Sequence, residues 1–250
     1  MNWKCNVMCV LGPMALLLSG CADPTLVKVK DIAADPSSYF SKNLSPESIS
    51  PTVAAKLPTG NAKFDQLKLT TKIDFVKGDK TESRTAVITY LNKGNGRIGK
   101  MIEFSNNDVP YEIDYLLTYQ GIVSLGWQNV NLGYTYANPH YEMKDTPRFD
   151  PILSEVGKEF TVKYMLGAVN QTRNFTAYEL TCKASGTRPA STIYSGFVGQ
   201  ATDFNCGLLS NNIMIDRQHF AMLQQYGVAV LLDVSTSSMK IVYQVVGMGS

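Results

Sequence analysis

Between residues 67 and 75 the chain reads Leu-Lys-Leu-Thr-Thr-Lys-Ile-Asp-Phe, with apolar and polar residues alternating at period two. Side chains spaced this way fall on opposite faces of an extended strand, and a helix cannot gather them on one face. The pattern recurs at 85–91, 100–104 and 111–119, and Gly78-Asp79, 92–96 and 106–108 are turn sequences between the runs. Further runs rich in Val, Ile, Thr, Tyr and Phe follow at 122–127, 132–136, 160–166, 175–183, 204–209, 228–234 and 239–246. So many short strands at near-regular spacing predict an all-β fold of sandwich-like antiparallel sheets. Asn138-Pro139, Thr146-Pro147 and Asp150-Pro151 interrupt the series. The break near 138–151 implies either two β subdomains or one domain crossed by a long loop. One segment differs. Residues 216–225 read as a short helix, with Asp216 as its N-cap.

The N-terminus carries a second signal. Lys4 and the free amine form a positive region, residues 7–18 an apolar one, and the run, broken by Gly12 and Pro13, is too short for a transmembrane helix. This is the layout of a secretory leader. Leu18-Ser19-Gly20-Cys21 places two small residues directly before a cysteine and resembles the lipobox of bacterial lipoproteins. The resemblance covers residues 1–21. It implies cleavage between Gly20 and Cys21, a diacylglyceryl thioether on Cys21 and acylation, as by palmitate, of its amine. Ala22, where an inner-membrane retention aspartate would stand, implies the outer membrane, with the protein facing the periplasm. Residues 1–20 are then the leader and 21–60 a lipidated, Pro- and Ser-rich tether. Residues 61–250 form the β-rich body. As a flexible chain, residues 22–60 would reach about 35 Å.

Export also organises the cysteines. Cys5 and Cys9 lie in the leader and Cys21 carries lipid, which leaves Cys182 and Cys206 in an oxidising compartment. The pair is expected to form one disulfide. Two cysteines without neighbouring histidines make a poor zinc site. A net charge of +2, 18% charged residues and no basic block give no support to nucleic-acid binding.

No catalytic signature stands out. His140 and His219 are the only histidines, and no Gly-x-Ser-x-Gly elbow supports a triad with either. Asp233-Val-Ser235-Thr-Ser237 after an apolar strand resembles the metal-adhesion motif of von Willebrand factor A domains. That resemblance implies Asp233, Ser235 and Ser237 as ligands of a hard cation. The competing and preferred reading is a hairpin, since only thirteen residues follow Ser237 and the preceding chain reads as β. Glu112, Asp114, Glu142, Asp145 and Asp150 read as solvated surface charge. Trp127, Tyr134, Tyr136, His140 and Tyr141 form an aromatic strip able to stack on sugars or a protein, or to serve as core and turn packing.

The resulting expectation is an outer-membrane lipoprotein held by the lipid on Cys21. It acts as a binding or scaffolding module for a protein or envelope polymer, without cofactor or metal. An envelope hydrolase acting on peptidoglycan or glycans, and an accessory lipoprotein of a secretion or assembly machine, are the alternatives.

Overall fold

The computed structural model describes residues 27–249; the leader, Gly20 and Cys21 lie outside the described residues. Twelve strands follow one another around a single closed antiparallel barrel. They are β1 (Gln66–Lys77), β2 (Lys80–Asn92), β3 (Arg97–Asn106), β4 (Val109–Tyr119), β5 (Val123–Asn131) and β6 (Tyr141–Phe149). The second half comprises β7 (Glu159–Ala168), β8 (Thr176–Pro189), β9 (Gln200–Ser210), β10 (Ile213–Leu223), β11 (Val228–Ser235) and β12 (Lys240–Gly249). Each strand pairs with the next, and β1 closes the ring on β12 through pairs such as Ile73 with Tyr243. One hydrogen-bonded ring therefore takes the place of stacked sheets. Closure removes the unpaired edges that an open sheet exposes.

Turn chemistry sets the hairpins. Asn107 and Asp108 both adopt positive φ (49° and 62°), as do Asn211 and Asn212 (48° and 65°). These are two-residue loops of the I′ kind, whose twist matches that of the strands they join.

The ring has no uniform inside and outside. On β4, Ile113, Tyr115, Leu117 and Tyr119 belong to one core, while Leu116 on the other face packs against a second. Phe220 and Met222 on β10 enter the first core, and Ala221 and Leu223 enter the second. Bulges such as those at Leu117/Thr118 and His219/Phe220 bend the strands that separate the two cores.

Residues 216–225, read as a helix, correct to strand: β10 spans Ile213–Leu223 and pairs with β9 and β11. Arg, Gln, Met and Leu are good helix formers, but one face of a helix cannot supply both cores with successive residues. The extended chain can, and tertiary context overrides propensity. β6 crosses the Pro-rich break. Pro147 sits where the β6–β7 register shifts between Asp145 and Arg148, a place where a missing N–H is tolerated. Residues 132–136, expected as strand, form a loop instead.

The chain after Val27 is helical and packed. α1 (Val29–Ala34), α2 (Pro36–Asn43) and α3 (Pro51–Ala54) bury Val29, Ile32, Phe40 and Val53 in the first core. Asp35 caps α2, accepting from the Ser38 N–H at 3.0 Å, with Pro36 at the first helical position. Residues 27–57 thus belong to the body.

Candidate functional site

The antiparallel order puts the β1–β2, β3–β4, β5–β6, β7–β8, β9–β10 and β11–β12 connections at one end of the ring. A cleft of about 730 Å³ opens there between β1, β2 and the β3–β4 turn. Its lining is mainly polar: Lys72, Ser83 and Thr85, then Ser105, Asn106 and Asn107. Glu82, Arg84 and Tyr111 complete it, together with Val109.

Arg84 is held from several sides. Its Nε donates to Glu82 Oε1 at 2.8 Å and its Nη1 to the Tyr111 hydroxyl at 3.0 Å. The guanidinium lies 4.7 Å from the Phe75 ring centroid and 5.8 Å from that of Tyr111. The hydrogen bond to Glu82 raises its pKa further above the ordinary value. On β1, Asp74 accepts from the Ser83 hydroxyl and from Lys72 Nζ, and these contacts hold its carboxyl below the usual range. Each cation has an acid beside it. The cleft therefore offers hydroxyls, amides and an aromatic face rather than a bare charge.

The aromatic strip divides. Trp127 and Tyr141 pack with ring centroids 5.5 Å apart. His140 turns toward Gly126, and burial pushes its pKa down. Tyr134 and Tyr136 stand exposed on the β5–β6 loop, beside Lys28 and Lys30.

His219 sits between two acids that the sequence keeps far apart. Its Nε2 lies 3.3 Å from Asp203 Oδ1 and its Nδ1 3.4 Å from Asp233 Oδ2. Arg188 grips Asp203 with two nitrogens, at 2.9 and 3.0 Å. With a carboxylate at each ring nitrogen, neither is left to accept a proton from a serine, so the arrangement lacks the logic of a nucleophile and its base. Asp233 lies within β11, which runs to Ser235 and pairs with β12, and residues 236–239 turn the chain between the two strands, which is the hairpin geometry. Among the described residues no group of three or more His, Cys, Asp or Glu is placed to hold a metal ion.

Asp114 corrects the reading of surface carboxylates. It lies half-buried, accepts from Asn129 Nδ2 at 2.8 Å, and burial raises its pKa. Near it Lys100 is buried in β3, with its ammonium 5.7 Å from the Tyr90 ring centroid. Burial lowers the Lys100 pKa to about 8, with Asp114 opposing the shift. The signal for this pair was Lys100 standing on the same face as Ile98, Ile102 and Phe104.

Lys100 has a pH signature. Below about pH 8 it is charged in both folded and unfolded chains. Between about pH 8 and 10.5 the unfolded chain still holds the proton and the folded one does not, so stability rises with pH by roughly 3 kcal/mol. Above about pH 10 the buried tyrosines oppose this. Tyr243 is pushed up to about 12 by burial and keeps a proton that the unfolded chain has lost. Urea unfolding should show a stability maximum at about pH 9–10, and Lys100→Met should flatten the rise. Equal slopes in the two proteins would refute the assignment.

No protein-family model, curated protein or solved structure matches this chain.

Proposed function

We propose that this chain is a lipid-anchored, periplasm-facing binding module of the outer membrane, and that the cleft around Arg84 takes a hydroxyl-rich envelope glycan. The observation that carries the reading is the cleft's lining. Side-chain hydroxyls and amides suit vicinal sugar hydroxyls, Tyr111 offers a ring face, and Arg84 is preorganised by Glu82 and Phe75. Anchoring rests on the lipobox resemblance at Cys21, with which the Cys182–Cys206 disulfide agrees. The hydrolase reading is weaker, because His219 is engaged by acids on both ring nitrogens.

Titration with soluble peptidoglycan and lipopolysaccharide-core fragments should show saturable binding, weakened at least tenfold by Arg84→Ala and unaffected by His219→Ala. Binding that Arg84→Ala leaves intact would refute the site. Release of reducing ends from sacculi, abolished by His219→Ala, would favour the hydrolase. Palmitate labelling lost in Cys21→Ser supports the anchor, and labelling retained in that variant refutes it.

A further inference from the structure

The end of the ring that holds the cleft is also where the described chain begins. Val27 and Val29 are tied to the β5–β6 loop: the Ala137 N–H donates to Val27 O at 2.9 Å and the Val29 N–H to Thr135 O at 3.1 Å. Six Cα steps separate Val27 from Cys21, a span of at most about 20 Å. A lipid on Cys21 would therefore hold this end close to the bilayer.

The surface there is unusual for water. Val109, Tyr134, Tyr136, Ile213, Met214 and Ile215 are all exposed, from 39% at Ile215 to 69% at Ile213. The last three open β10 directly after the Asn211-Asn212 turn, and pairing of β10 with β11 begins only at Arg217, so this tip of the β9–β10 hairpin extends past the neighbouring strand. Three successive exposed aliphatic side chains gain by leaving water, and tyrosine rings suit the headgroup level. Lys28 and Lys30 flank the tyrosines, while Asp31 and Asp35 line a separate cleft with Ser38 and Tyr39. The opposite end carries Leu153, Val156 and Val198, with Val246 and Met248 near the end of β12, but the described chain begins at the cleft end.

From these features we infer that this end of the ring docks on a lipid bilayer, with the β9–β10 tip and the two tyrosines at the interface and Lys28 and Lys30 on anionic headgroups. The inference rests on the anchoring reading only for the direction of approach. Docking sets the Arg84 cleft at the membrane surface.

The test uses the chain without its first 21 residues, since both cores and the ring closure lie within residues 27–249. This protein should float with phosphatidylglycerol vesicles and less with phosphatidylcholine vesicles. Ile213→Asp with Met214→Asp should reduce flotation at least tenfold at unchanged melting temperature, and Val156→Asp should not. Failure of the parent protein to float, or equal flotation of the double variant, overturns the proposal even if palmitate labels Cys21. Flotation together with absent labelling leaves docking standing and removes the anchor. Loss of an in-cell protein crosslink in the double variant, without loss of flotation, would reassign the surface to a protein partner.

Discussion

Phe40→Ala should lower the unfolding free energy by about 3–5 kcal/mol, the range for emptying a well-packed phenylalanine site. Phe40 is 1% exposed and packs 5.5 Å from the Tyr115 ring centroid. It fills the space left by Gly99 on β3, where a Cβ would stand 2.8 Å from Phe40 Cζ. The neighbouring Tyr39 locks the same helix, its ring 5.6 Å from Tyr115 and its hydroxyl donating to Gln128 Oε1 at 2.6 Å. Little can collapse into the cavity, because β3 and β4 are held by their ladders on both sides. Urea denaturation gives the measurement. A loss below about 1 kcal/mol would mean that residues 27–57 are not part of the cooperative fold.

Replacing Cys182 and Cys206 together by alanine should remove about 3–4 kcal/mol, the chain-entropy value for a link between residues 24 apart. The two residues face each other directly on β8 and β9, with Cα atoms 4.0 Å apart. The link clips the long β8–β9 hairpin, which carries Phe204 into the first core and Asp203 to His219. Reductant should lower the urea midpoint of the parent protein and leave that of the double variant unchanged. Two alkylatable thiols in the unreduced protein would refute the pairing.

Much of the strand content was legible in residues 67–119, because alternation and turn residues are local and agree with each other. β6 was not legible, since Thr146-Pro147 reads as a stop; only the register shift against β7 accommodates it. β10 was misread because its apolar residues are consecutive, Phe220-Ala-Met-Leu223, which suits a helix until two cores are known to flank it. The site was less legible than the fold. Arg84, Tyr111 and Asn107 come from different elements and no spacing rule joins them. The aromatic strip was visible as a composition, but the structure separates Tyr134 and Tyr136 from Trp127, His140 and Tyr141.

Local chemistry determined the all-β class and several of the hairpin turns and, once the leader reading sets aside Cys5, Cys9 and Cys21, the pairing of the two body cysteines. Period-two alternation, the residue types found in turns and the number of available thiols do not depend on distant parts of the chain. Only the tertiary structure decided that the strands close into a ring, that residues 27–57 pack into it, and that His219 meets Asp203 and Asp233. Those outcomes depend on which faces are buried together. Burial is a sum over residues far apart in sequence, so the same alternation is compatible with a sandwich or a barrel until the two cores are assembled.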